Sequence, residues 1–231
     1  EKQGDGGIDQ FLNLNNFPNR PTVLITSRNQ GMKGIDKLEL DVFTKEEAIQ
    51  FIQKALKSKN PNGEQIKELA KELQNLPLAL QQAVAYIEQT DEQSMRRKNM
   101  PFTIRDYLVL IKQKAESLLS EGRGSLKDRY EETVMTTWKI TIDTIKQNKE
   151  HGEQALHIMD VIAYLAPDNI PFELLCINLI SNESLRYEAV GLLEQYSLIR
   201  FEGGLLHVHR LVQQVTRINL QKKQKQEEAI Y

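Results

Sequence analysis

The sequence predicts a mainly α-helical chain in which a remnant of a parallel α/β sheet leads into a four-helix unit and then a winged-helix unit. Three observations predict this. Val23-Leu24-Ile25 is a continuous apolar run, which is how a strand covered on both faces of a parallel sheet reads. Between Thr44 and Leu119 the apolar residues recur at helical spacing instead. Near the other end the period changes to that of two short strands flanking Glu202-Gly203-Gly204, and helices followed by such a hairpin describe a winged helix. The expected boundaries are 1–43 for the sheet remnant, 44–122 for the helical unit, 126–220 for the winged helix and 221–231 for a linker tail.

Taken in order, Ile8 to Leu14 reads as a short helix, Thr22 to Arg28 as a buried-type strand, and Leu38 to Val42 as a neighbour for it. The remaining strands of such a sheet are expected to lie before Glu1, so the chain reads as a piece of a longer one. Thr44 with Glu47 three residues on has capping-box spacing, in which each side chain satisfies the other residue's free backbone N–H. Ile49, Ile52, Ala55 and Leu56 give that first helix its apolar face; Ile66, Leu69, Ala70 and Leu73 stripe the second. Asn75 tolerates the left-handed backbone that closes a helix, and Pro77 suits the first turn of another, so Gln74 to Pro77 reads as a helix-to-helix corner. Leu80, Ala83, Val84 and Ile87 line the helix that follows, and Thr103 with Asp106 marks a fourth helix start before Tyr107, Leu108, Ile111 and Leu118.

Ser120-Glu121-Gly122-Arg123-Gly124-Ser125 combines glycine with polar residues and is the clearest linker. Beyond it, Val134, Trp138 and Ile145 stripe one helix and Ala155, Met159, Ile162 and Ala163 a second. Pro171 is expected to start a third, and Leu185, Ala189, Leu192 and Leu193 line a fourth. After the hairpin a last helix uses Leu211, Val212, Val215 and Ile218, and a Lys/Gln-rich solvated tail is expected from Gln221.

Composition excludes several classes. The 231 residues are 40% hydrophobic and 27% charged, enough for two compact units with cores, and a formal charge of -2 provides no global attraction for nucleic acid or an anionic membrane. Cys176 is the only cysteine and lies in an apolar run, which rules out an internal disulfide, favours burial over reactivity, and fits a reducing, cytoplasmic setting. No apolar run approaches the roughly 20 residues of a membrane helix. No His-Glu-x-x-His helix, Gly-x-Ser-x-Gly elbow or Cys-x-x-Cys pair is present to suggest a metalloprotease, a hydrolase or a redox protein.

Three stretches in order, Thr22-Val23-Leu24-Ile25-Thr26-Ser27-Arg28, Asn75-Leu76-Pro77-Leu78-Ala79 and Leu205-Leu206-His207-Val208-His209-Arg210-Leu211, resemble the NB-ARC family of signalling nucleotide switches, within the STAND class. The resemblance covers nearly the whole chain. It implies that Arg28 matches the sensor arginine that reports on the terminal phosphate, a task suited to a guanidinium that stays charged and pairs two oxygens at once. It implies that Leu76 and Pro77 lie near adenine and ribose, and that His209 reaches the β-phosphate of bound ADP. Two positions depart from the pattern: Asn75 stands for the family's glycine and Arg210 for its aspartate. Without the resemblance, Arg28 reads as a solvated loop residue, the corner as a bundle turn and His209 as a helix cap.

No Gly-x-x-x-x-Gly-Lys-Ser/Thr occurs, so this stretch by itself has no loop to cradle phosphates, and catalysis is not expected of it. The resemblance implies a slow ATPase switch in the parent protein, with ADP or ATP held through an upstream P-loop domain and Mg²⁺ only in the full-length chain. Its implied partners are other modules of the same chain and further copies on activation. The expected function is the regulatory half of such a switch. The alternatives are a winged-helix DNA-binding regulator, disfavoured by two glutamates against one arginine in the stretch Leu185–Tyr196, and a nucleotide-free helical adaptor for protein contacts.

Overall fold

The computed structural model describes residues 41–56, 61–120, 129–176, 180 and 182–228. The expected helix at 8–14, the strand at 22–28 with Arg28, the linker at 121–125 and the side chain of Cys176 lie outside the described residues. Asp41 and Val42 carry no strand. What is described is mainly helical: α1 (Lys45–Ala55), α2 (Gly63–Glu72), α3 (Pro77–Lys98), α4 (Ile104–Ser120), α5 (Arg129–Lys146), α6 (Gly152–Ile162), α7 (Glu183–Gln195) and α8 (Arg210–Glu228), with a small sheet of β1 (Ile170–Pro171), β2 (Ile199–Glu202) and β3 (Leu205–Val208). The sheet is antiparallel with β3 in the centre.

The helix starts are chemically local. Glu47 N–H donates to Thr44 Oγ1 at 3.2 Å while Thr44 N–H donates to Glu47 Oε2 at 2.8 Å, a closed capping box that holds the Glu47 carboxyl below the usual range. Thr103 and Asp106 repeat the device at α4, with Thr103 N–H donating to Asp106 Oδ2 at 2.8 Å. Asn62 starts α2 by accepting from Glu64 N–H at 2.8 Å.

α5 is the hub. It packs against α3, α4, α6 and α8, and its Trp138 is almost fully buried. Through these contacts Asp41–Tyr231 forms one compact unit, although a linker is read between the two groups of helices.

Two elements differ from the sequence reading. Pro171 does not start a helix: Ile170 and Pro171 pair with Leu206 and Leu205, and Phe172 N–H donates to Gly204 O at 3.0 Å before a 3₁₀ turn spans Phe172–Cys176. Proline is tolerated at such an edge because its absent N–H is not asked to donate into the ladder. At the other end α8 does not stop at residue 220. It runs to Glu228, because Gln, Lys and Glu are good helix formers and nothing there breaks the helix.

α6 ends inside the protein, so its last carbonyls need partners. Gln213 of α8, 4% exposed, donates from Nε2 to Ile162 O at 2.8 Å and Leu165 O at 3.0 Å, and Arg217 donates to Ala163 O. Gln213→Leu keeps the bulk but strands two carbonyls. It should cost about 1–3 kcal/mol, a fall of roughly 2–4 °C in melting temperature per kcal/mol, read by thermal unfolding. A melt unchanged from wild type would show that water replaces the glutamine.

Candidate functional site

The corner between α2 and α3 is built from backbone geometry. α2 closes with Gln74 N–H on Lys71 O at 3.1 Å and Asn75 N–H on Ala70 O at 2.9 Å, the crossed pair of a Schellman motif. Both Gln74 (φ 55°) and Asn75 (φ 54°) are left-handed, one residue more than the sequence reading assigned. Leu76 then precedes α3 in extended conformation and Pro77 occupies the first helical position. Asn75 O accepts from Phe43 N–H at 3.1 Å, tying the corner to the start of α1.

Beside the corner lies a concavity of about 590 Å³. Lys45, Glu64, Lys67, Glu68, Ala70, Lys71, Gln74 and Asn75 line it; Leu76 and Pro77 do not. Its charges are partly matched, with Lys67 Nζ 2.7 Å from Glu64 and Lys112 Nζ 2.8 Å from Glu68. The Lys67 ammonium, through hydrogen bonding and charge, holds the Glu64 carboxyl below its usual range. Leu76 is half-buried and packs on the core, so it has a structural role whatever it binds.

His209 sits between β3 and α8. The residue is exposed, and its Nδ1 accepts from Leu211 N–H at 3.1 Å, so the imidazole caps the first turn of α8. Packing around the ring lowers its pKa from the ordinary histidine value by desolvation. The ring is therefore neutral at neutral pH, with Nδ1 accepting and the proton on Nε2. A neutral Nε2–H beside a helix N-terminus can donate to an anion. His207, two residues earlier, pairs instead with Asp168 at 3.3 Å and joins the hairpin to the loop before β1.

Nothing described joins the corner to His209 by hydrogen bond or ion pair. α5 packs against both helices that carry them, α3 and α8. Its contact with α3 includes polar pairs, Thr137 Oγ1 donating to Gln82 Oε1 at 2.7 Å and the Tyr86 and Thr144 hydroxyls 3.0 Å apart, and Gln74 Nε2 of the corner donates to Thr133. Gln82 and Thr137 are fully buried, and Gln82 Nε2 has no partner among the described residues. Sequence reasoning missed this seam. The signal available was the run of threonines at 133, 136, 137, 141 and 144, on a helix that the sequence reading described only through Val134, Trp138 and Ile145.

α7, which a DNA-reading winged helix would present to the groove, has no exposed cation. Arg186 is 6% exposed, donates to Ile180 O at 2.8 Å and lies 5.5 Å from the centre of the Phe172 ring. The exposed positions include Glu183, Glu188 and Glu194. Among the described residues there is no group of side chains that could hold a metal ion, and no helix is long and apolar enough to cross a membrane.

Comparison with known proteins adds two findings. Residues 147–225, from the end of α5 through most of α8, match a family described as a domain of unknown function, DUF7779. A protein of Hyaloscypha variabilis (strain UAMH 11265 / GT02V1 / F), described as a nucleotide-binding leucine-rich repeat (NLR)-like protein, is 25% identical over 94% of this chain. The chain spans 22% of the length of that relative, so the link to NLR-like proteins is distant and coarse. No solved structure matches.

Proposed function

We propose that this chain is the regulatory half of an ADP/ATP-operated cytosolic signalling switch of the NB-ARC type, in which α5 to α8 and the small sheet act as a winged helix that closes over nucleotide. The observation that carries the reading is His209, whose Nδ1 caps α8 and leaves an Nε2–H donor beside a helix N-terminus. The Leu76-Pro77 corner, and the NLR-like description of a relative aligned along nearly the whole chain, support it. In this reading Arg28, Leu76, Pro77 and His209 contribute to the nucleotide site, and a P-loop and Mg²⁺ come from the parent protein.

The mechanism is a population shift between a closed form favoured by ADP and an open form that oligomerises. Moving such a switch from 1:99 to 99:1 takes about 5.5 kcal/mol of differential affinity. Charge-assisted bonds to phosphate, at about 1.5–3 kcal/mol each, reach that with roughly two to four contacts. The polar pairs within the α3–α5 contact, Thr137 with Gln82 and Tyr86 with Thr144, can exchange each other for water at little net cost when that joint opens. The DNA-binding alternative is disfavoured by the burial of Arg186 and the acidic exposed face of α7.

Calorimetry with ADP tests the proposal. The 231-residue chain, which contains no phosphate loop, should bind weakly or not at all, and a longer chain of the parent protein that contains one should bind tightly. Submicromolar binding to the 231 residues alone would place the site elsewhere. A longer chain with no affinity at all would leave the helical adaptor reading in its place.

A further inference from the structure

Six large apolar side chains are notably exposed among the described residues, and four of them fall on two surfaces of opposite charge. The first surface belongs to α7 and the 3₁₀ turn. Tyr187, 49% exposed, stacks on Phe172 with ring centroids 4.4 Å apart, Phe172 lies 5.2 Å from Phe201, and Leu174 is 37% exposed. Exposed Glu173, Glu183 and Glu188 surround these residues in sequence, and Glu183 shares a helical face with Tyr187 at i, i+4. The only cation of α7, Arg186, is turned inward to Ile180 O and the Phe172 ring.

The second surface is the end of α3. Met95 is 43% exposed and Met100 63%, with exposed Arg96 and Arg97 between them, and Asn99 (φ 50°) ends the helix in a left-handed turn. Among the described residues Arg96 reaches only Glu92 of its own helix at 4.0 Å, a solvated pair worth little, and no ion pair joins either arginine to α7. An apolar-and-basic tip and an aromatic-and-acidic face on one chain, not engaged with each other, are complementary in shape of chemistry and in charge.

We propose that the aromatic, acidic face of α7 is a docking surface for the Met95–Met100 tip of a second copy of this chain. Methionine fits because a flexible, polarisable thioether adapts to the edges of Tyr187 and Phe201. Arginine fits because it can stack on Tyr187 while pairing with Glu183 or Glu188. The contact joins two different patches, so it closes into a pair when each copy supplies both, and otherwise continues from copy to copy. The inference rests on the switch reading for its place in signalling. Its test uses no nucleotide, so the two can fail separately.

The test is sedimentation velocity of the 231-residue chain across the micromolar range, at low and high salt. The wild type should associate with rising concentration and dissociate in high salt. R96E/R97E and E183K/E188K should each weaken association by roughly tenfold or more. An equimolar mixture of the two should regain it, since each reversed patch then meets its opposite. All four side chains are exposed, so thermal melts should match wild type and separate loss of contact from loss of fold. Reversed variants that associate as the wild type does, or a mixture that stays dissociated, would overturn the proposal. A wild-type chain that remains monomeric throughout would also overturn it and leave the α7 face to a partner other than a copy of this chain.

Discussion

Gly152→Ala should be among the most destabilising single substitutions in the chain, costing about 3 kcal/mol or more and lowering the melting temperature by roughly 6–12 °C. A β-carbon built on Gly152 would lie 2.2 Å from the carbonyl oxygen of Ile145 and 3.4 Å from Cβ of Asn148. The first of these is a backbone atom at the end of α5, so no rotamer change relieves it. The turn has no slack either. Asn148 Oδ1 accepts from both Glu150 and His151 N–H at 3.0 Å, and Gly152 N–H donates to Asn148 O at 3.1 Å, closing the link from α5 to α6. Relief therefore requires α6 to move off α5, against its packing on α7 and α8. Gly191→Ala is the matched control with the opposite sign. Nothing lies within 4 Å of its built β-carbon and its φ is ordinary, so alanine in the middle of α7 should stabilise by about 0.5–1 kcal/mol. Thermal unfolding of both variants checks the pair: a Gly152→Ala melt equal to wild type would show that the α5–α6 turn relaxes freely.

What the sequence made legible is what its neighbours decide. The capping boxes at Thr44/Glu47 and Thr103/Asp106 close over three residues, and the hairpin turn needs only the positive φ of Gly203 and Gly204. The helix faces follow from the same locality, as in α2, where Ile66, Leu69, Ala70 and Leu73 are all buried. What stayed hidden depends on distant partners. β1 exists because Ile170 and Pro171 meet β3 across more than thirty residues of chain, and nothing in their own spacing announces it. Gln213 and Thr137 are polar residues of ordinary amphipathic helices, and only the packing of α8 on α6 and of α5 on α3 turns them inward. The candidate site divides in the same way. The conformations at Asn75 and Pro77 could be read from residue chemistry, whereas the capping role of His209 required the backbone of α8, and Arg28 lies outside the described residues.

In a longer chain that carries the phosphate loop, His209→Asn and His209→Ala should both release ADP faster, weakening affinity by roughly ten- to more than a hundredfold, while differing in stability. One lost charge-assisted bond at about 1.5–3 kcal/mol sets that range. Stability separates the variants because His209 also caps α8 through Nδ1. Asparagine is a strong N-cap and can accept from Leu211 N–H in its place, so His209→Asn should melt close to wild type. Alanine cannot, and should lose about 0.5–2 kcal/mol. pH supplies a second readout. Desolvation holds the His209 pKa below its ordinary value, and a proton taken up in acid enters at Nδ1, the atom that accepts from Leu211 N–H, so the cap's contribution to stability is present above the ordinary histidine value and should be lost as pH falls below it. Both substitutions should flatten that His209-linked component. Measuring ADP release, thermal unfolding and the pH dependence of that unfolding on the three proteins decides the matter. If His209→Asn retains ADP as wild type does, and His209→Ala does nothing but melt early, the histidine is a helix cap alone and the nucleotide contact must be sought at other residues.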